Sequence, residues 1–436
     1  MAEESPQPLD IHELIRRHPA EVADILAALH EEEAVELLRR LYLRRAAAEP
    51  LGEMEPDEAA RLLAELNRED AAHILSHMEP DDAVDLLAEL PPETVQDILS
   101  RLESREAKEL GDLLAYPPDT AGGLMSTEVV ALPGEMTAQA AIEHLRTVAE
   151  EAETVYYAYV VDEAGKLLGV LSLRDLVLAR PRALLRTIMK SDTVALPVGM
   201  DVEEVARAFD KYNFLALPVV DPTGRLLGIV TVDDVIDVIR EEDTEDIYRL
   251  AGAPLAERVD TPWHESLRLR MPWLLLNLVT AFLAASVVGA FESVIAKFAA
   301  LAIFMPVIAG QGGNTGMQTV TIVTRGMALG EVPPGEGWHL LRKELLTGIL
   351  KGILIGAVAG LAAYLWKASP YLGGVVFLAM TLNLLIAGLA GAVIPLTLRA
   401  LRLDPALASS ILLTTITDTL GFFFLLGLGL VFLDRL

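Results

Sequence analysis

Residues 405–433 read PALASSILLTTITDTLGFFFLLGLGLVFL. This is long enough to cross a bilayer as a helix, for which about 20 apolar residues suffice. Within it stands one acid, Asp418, between Thr417 and Thr419. A carboxylate at mid-membrane costs about 3 kcal/mol on insertion scales. A chain carries that cost where the acid faces a water-filled path or meets a cation. The stretch therefore demands a membrane fold, and it points to a cation passing Asp418.

Charge divides the remainder. The first 260 residues hold 24 basic and 55 acidic side chains, and the remaining ones 11 and 8. A strongly acidic soluble part thus precedes a near-neutral membrane part. An acidic face attracts cations and repels nucleic acid, so no nucleic-acid partner is expected. The chain has no cysteine, which excludes disulfides and thiolate metal sites. The charged first 25 residues contain no apolar run of signal-peptide length, so the soluble part is expected in the cytosol.

That part opens with a repeat. Met54, Leu66, Met78, Leu90 and Leu102 recur every 12 residues, opening units such as MEPDEAARLLAEL and MEPDDAVDLLAEL. Each unit predicts a short helix with acids in its first turn, capped by a polar residue after the proline. Two-turn helices cannot stand alone, so the units must stack into a superhelical array. His73 and His77 lie four apart on one such helix; without a third ligand they read as an ordinary surface pair.

A second duplication follows. YVVDEAGKLLGVLSLRD (159–175) matches PVVDPTGRLLGIVTVDD (218–234) at a constant offset of 59. Each copy predicts a strand, an Asp-x-x-Gly turn, a second strand and a helix. Ser172 or Thr231 opens that helix, with Asp175 or Asp234 three residues later in the capping-box pattern. These copies resemble a tandem pair of CBS domains, an α/β pseudo-dimer that often binds adenosine nucleotides. Beyond them runs an acid-rich helix with Asp233, Asp234, Asp237, Glu241, Glu242, Asp243, Glu245 and Asp246. So many like charges oppose one another unless solvated or bridged by a hard cation. A polar segment, 258–273, then predicts a short helix between Pro262 and Pro272, placed to couple the soluble part to the membrane.

Apolar length gives five spans, about 272–290, 294–312, 343–366, 374–398 and 406–433. Arg268, Arg270, Arg325, Arg342, Lys343, Arg399 and Arg402 fall on one side and Lys297, Lys367 and Arg435 on the other. The positive-inside rule puts the first set and the N-terminus in the cytosol and the C-terminus outside. The second span ends in GQGGNTGMQTV (310–320). Its four glycines predict broken backbone, tolerated at membrane depth where it lines a cavity; close helix packing through small residues is the alternative. Asn314 offers an amide oxygen to a hard cation or its hydration water.

The order of parts, with GGNTG (312–316), FESV (291–294) and TDTLG (417–421), is similar to the MgtE family of magnesium channels over essentially the whole chain. The resemblance implies a multidomain membrane protein. Its parts would be an all-α superhelical N-domain (1–120), an α/β tandem CBS pair (121–250), a connecting plug helix (251–271) and an α-helical transmembrane domain of five spans (272–436). It implies Asp418 as a pore ligand for Mg²⁺ acting through hydration water, with backbone carbonyls near Thr414. Regulatory Mg²⁺ ligands map onto Asp81, Glu203, Asp210, Asp234, Asp237, Glu242, Glu245 and Asp246. Nucleotide contacts, with ATP as a regulatory ligand, map onto Tyr157, Arg174, Asp175 and Phe214. Asn213 stands where the family pattern expects an acid, which weakens that site.

Magnesium keeps its waters and prefers octahedral oxygen surroundings. One acid per chain is too little for a divalent site, so a homodimer contributing two Asp418 is expected. The expected function is Mg²⁺ import across the plasma membrane, gated by cytosolic Mg²⁺. The alternatives are another divalent cation, Mn²⁺ or Co²⁺, or a proton-coupled transporter. No enzyme is expected. His264-Glu265 lacks the second histidine of a zinc protease, Arg268 standing in its place, and no P-loop pattern occurs. A nucleotide-sensing receptor without transport leaves Asp418 unexplained.

Overall fold

A computed structural model describes residues 10–149, 152, 154–259, 261–332, 337–405 and 409–435, and the side chains of Asp243 and Asp246 lie outside the description. The chain divides into two units, Met1–Ile239 and Arg240–Leu436.

The first unit begins with the helical repeats, among them Pro56–Ala64, Arg68–Leu75, Pro80–Ala88, Pro92–Leu99 and Ser104–Leu113. Each packs on the next helix but one. The periodic Met54, Leu66, Met78 and Leu90 are buried in one continuous core, and Leu102 packs against it. Burial of this row converts a 12-residue period into a stacked superhelix. The helices start differently from expectation. Pro56, Pro80 and Pro92 occupy the first turn, and the preceding Glu55, Glu79 and Pro91 make no side-chain cap. A proline whose φ already suits a helix does this work instead. Only between them does Asn67 cap conventionally, accepting from the Asp70 N–H at 2.8 Å.

Two three-stranded sheets follow, β1-β2-β3 (Ala131–Pro133, Tyr157–Val161, Leu167–Ser172) and β4-β5-β6 (Leu196–Pro197, Ala216–Val220, Leu226–Thr231). In each, the first pair is parallel and the second antiparallel, with a register shift at the same place, Val160/Val161 and Val219/Val220. The turns carry Gly165 and Gly224 at φ 80° and 84°, a backbone region glycine enters freely. They also pair with each other: Leu167 N–H donates to Gly224 O and Leu226 N–H to Gly165 O, both at 3.0 Å. This reciprocity joins the two copies. Asn213 closes the helix Val202–Tyr212 in the left-handed conformation, φ 53°. Asparagine is one of the few non-glycine residues that adopt this conformation readily.

The helix Val232–Ala251 runs from the first unit into the second. The second unit holds five long helices: α1 (Trp263–Ala290), α2 (Ala300–Ala328), α3 (Gly337–Lys367), α4 (Pro370–Ala400) and α5 (Ser409–Val431). Four of them, α1, α3, α4 and α5, are long and apolar enough to cross a membrane. The fifth expected span, 294–312, is divided: a short helix Glu292–Lys297 precedes α2, which runs Ala300–Ala328 with a polar second half from Gln311 and is not among those four. Two breaks expected from sequence are absent. α1 passes through Pro272, so no separate short helix precedes the first span. α2 passes through all four glycines of the GQGGNTG stretch as one helix. In apolar surroundings the backbone has no water to bond to, so helix is retained where glycine or proline would end it in solution.

The bundle is close-packed through small residues. Gly348, Gly352, Gly356 and Gly360 of α3 abut Leu385, Thr381, Phe377 and Gly373 of α4. Thr381 Oγ1 donates to Gly352 O at 3.0 Å. α4 is the central element, packing on α2, α3 and α5, and α1 leans on α5.

Candidate cation path, acid cluster and nucleotide cleft

In the membrane bundle, α2 and α5 meet through glycine. Gly312 faces Thr417 of α5 and Asn383 of α4, and Gly316 faces Leu413 of α5. The packing role for these glycines is the one the structure supports. Gly310 and Gly313 have open space beside them, and Gln311, Asn314 and Gln318 are exposed on that same outer side of α2. At membrane depth, three amides on an open face require a polar neighbour. Asp418 is half-buried on α5. One turn earlier, the Thr414 carbonyl accepts from Thr417 Oγ1 at 3.2 Å, while Thr414 Oγ1 donates to Ser410 O at 2.9 Å. The same carbonyl takes the Asp418 N–H within the helix, so both of its lone pairs are engaged.

In the first unit, acids converge on Asp234. Its carboxylate accepts from the Thr231 N–H at 3.2 Å and from the Thr231 hydroxyl. Burial, with Asp233 and Asp237 beside it, nevertheless pushes its pKa up. Across from it, burial and the charges of Asp234, Asp233, Glu53 and Glu49 raise Glu79. Asp82 is pushed up to about 7, by burial first and then by Glu79 and Asp234. Asp81, an expected ligand, lies on the same helix, Pro80–Ala88. Asp81 is buried, but Glu79 and Asp82 are the acids that feel Asp234, and Glu53 acts on both of them. Glu203 and Asp210 stand exposed on Val202–Tyr212, with Glu203 3.2 Å from Arg207. Asp237 is exposed and Glu242 partly exposed. Glu245 pairs with Arg249, which also holds Asp404 between α4 and α5. The side chain of Asp246 lies outside the described residues. Among those residues no three His, Asp or Glu groups are arranged to hold a metal ion. The cluster is a charge-dense contact rather than a finished coordination shell.

The first CBS copy carries a cleft of about 640 Å³ lined by Tyr156, Tyr157, Ser172, Leu173, Arg174 and Leu215 among others. That volume is within the range of small-ligand sites. Phe214 meets Tyr157 edge-on, with ring centroids 6.4 Å apart. Asp175 accepts from Ser172 Oγ at 2.6 Å, completing the capping box, and this bond holds its carboxyl below the usual range. Tyr157, Arg174 and Phe214 are thus brought together. Tyr156, Leu173 and Leu215, missed in the sequence, add flat and apolar walls.

A helical repeat domain and a CBS pair joined to a bundle of long apolar helices with polar glycine-packed crossings define a regulated multi-pass membrane transporter. The comparisons agree. An MgtE divalent cation transporter domain matches residues 305–428, an MgtE intracellular N domain 17–119, and CBS domains 121–182 and 185–241. The magnesium transporter MgtE of Thermus thermophilus is 40% identical over 332 residues, covering 76% of this chain and 74% of that protein. That of Bacillus subtilis is 36% identical over 331 residues, covering 76% and 73%. The crystal structure of the cytosolic domain of the Mg²⁺ channel MgtE in complex with ATP is 41% identical, with a TM-score of 0.50, covering 52% of this chain and 92% of that one. The chain belongs to the MgtE family.

Proposed function

We propose that the chain is a Mg²⁺ channel of the plasma membrane, built as a homodimer. Its N-terminal and CBS parts lie in the cytosol, its C-terminus outside, and cytosolic Mg²⁺ closes it. The observation that carries the reading is a half-buried acid, Asp418, on α5 and three exposed amides, Gln311, Asn314 and Gln318, on α2, which packs on α5. One chain leaves those amides without a covering helix, and a second copy about a two-fold axis would enclose them around water. Two Asp418 carboxylates would then hold a hydrated ion without stripping its waters.

Closure follows from the acid cluster. Glu79, Asp82 and Asp234 repel while ionised, and a divalent ion between them reverses the sign. With Asp237, Glu242, Glu245 and Asp246, they would draw the soluble elements together when Mg²⁺ is plentiful. The compact state must hold more ions than the open one for this to work. The first-copy cleft would take ATP, its adenine against Tyr157 and Phe214 and its phosphates near Arg174. The ATP complex of the related cytosolic domain supports this assignment.

Uptake into liposomes of Mg²⁺, Mn²⁺ and Co²⁺, with and without a pH gradient, tests the reading. Asp418→Ala should abolish divalent uptake or its selectivity while the protein stays folded. Unchanged flux in that variant would remove Asp418 from the path. Uptake that requires the pH gradient would favour proton coupling.

A further inference from the structure

Asn383 lies in the middle of the apolar helix α4. It is fully buried. Its Nδ2 donates to the Ile308 carbonyl of α2 at 2.9 Å. Two glycines make room for it. A methyl on Gly312 of α2 would overlap the Asn383 amide. On Gly421 of α5, a methyl would lie 3.0 Å from Nδ2 and 3.2 Å from Oδ1. One amide therefore sits where α2, α4 and α5 meet. Its Oδ1 is buried and has no hydrogen-bond partner among the described residues.

A leucine of similar size would pack such a crossing without this penalty. An unmet buried acceptor is destabilising, and hydrocarbon supplies no donor. The amide is thus an expensive way to fasten helices, and polar groups at membrane depth mark function more often than scaffolding. Its position says which function. Gly312 lies two residues from Asn314, and Gly421 three from Asp418.

The geometry points to Asn383 as a positioning residue for ion selectivity. It bonds to α2 and presses on α5, fixing the separation and rotation of the two helices and hence the gap between the Asn314 stripe and Asp418. The inference rests on reading α2 and α5 as walls of the cation path. A gap set to a hydrated Mg²⁺ discriminates against Ca²⁺, which sheds and exchanges ligands more freely and tolerates irregular shells.

The test uses the full chain in liposomes, reading maximal rate, half-saturating concentration and the Mg²⁺/Ca²⁺ uptake ratio. Thermal unfolding of the solubilised protein is followed in parallel. Asn383→Leu should leave the unfolding midpoint equal or higher, since the orphan acceptor is gone. The Mg²⁺/Ca²⁺ ratio should fall about five- to tenfold, the worth of one neutral hydrogen bond. Gly312→Ala should be the more damaging single change, lowering both midpoint and ratio. Adding Asn383→Ala to it frees the space and should restore the midpoint but not the ratio. A parental ratio in Asn383→Leu, or a double variant that regains both properties, would make the amide mere packing and overturn the proposal. So would failure of both Asn383→Leu and the double variant to fold. Asp418→Ala in the same preparation keeps the two levels apart: unchanged uptake there sinks the pore reading itself, whatever Asn383 does.

Discussion

Asp175 and Asp234 hold the same position in the two CBS copies and accept hydrogen bonds from Ser172 and Thr231 in the same way. Their pKa values nevertheless move in opposite directions. Asp175 is held low by the Ser172 hydroxyl, with Lys190 and Arg174 contributing at the edge of an open cleft. Asp234 is raised by burial, with Asp233 and Asp237 adding to it. The hydrogen bonds are the same; the neighbours are not. Copy one pairs the capping acid with Arg174, copy two replaces that arginine with Asp233 and faces the acids of the helical domain. The duplicated unit has diverged into one end suited to an anionic ligand and one end suited to cations.

The largest expected effect comes from breaking the first end. Arg174→Glu should weaken ATP binding by about 10- to 100-fold, the scale of a hydrogen bond to a charged group, measured by calorimetry on the full chain. Mg²⁺-driven closure without nucleotide should not change. Equal loss of both would mean that the two ends are not separate.

Breaking the second end should come next. In Asp82→Asn with Asp234→Asn, the amide at 234 can still accept from Thr231, so the helix start survives. The Mg²⁺ concentration for half-closure should rise about tenfold, equivalent to roughly 1.4 kcal/mol. Closure at the parental concentration would reduce the cluster to solvated surface.

A third measurement sharpens the contrast through pH. Asp82 has a folded pKa of about 7, above the value near 3.9 of an unfolded aspartate. Folding therefore takes up a proton between those values. The stabilisation is complete below about pH 4 and is lost as pH rises through 7. Between pH 6 and 8, without divalent ions, the unfolding midpoint of the soluble part should fall by about 2–4 °C, and Mg²⁺ should restore more at pH 8 than at pH 6. Asp82→Asn should flatten the dependence.

The smallest effect concerns the seam between the copies. Tyr159 is buried there, its hydroxyl without a partner among the described residues and its pKa raised by burial. Tyr159→Phe should leave both ends intact and raise the midpoint by about 1–2 °C, because an unmet buried donor is removed.

The parts of this molecule legible in its sequence are those written in short-range periodicity. The 12-residue row from Met54 to Leu90 and the 59-residue offset of the CBS copies are local patterns, and each was folded as read. What failed depended on surroundings. Gly310, Gly312, Gly313 and Gly316 read as a break because glycine weakens a helix in water; here Gly312 and Gly316 admit Asn383 and Leu413 to the helix surface. Pro272 read as an end because a free helix ends there. Glu79 and Asp82 could not be matched to Asp234 in advance, since nothing in a repeat tells which face meets a residue some 150 positions away. Asn383 passed unnoticed as one amide in an apolar run.

The uninterrupted course of α1 through Pro272 has a mechanical consequence. A helix with a joint at that residue would absorb a push on its cytosolic end as bending. A helix that continues through it passes the push on as tilt. The ten residues from Trp263 to Pro272 extend about 15 Å at 1.5 Å per residue. By the same geometry, a tilt of about 10° of the buried part swings Trp263 through about 2–3 Å. A displacement at the segment before the first span is thus carried into the span along one continuous helix, softened only by the backbone hydrogen bond that Pro272 cannot make.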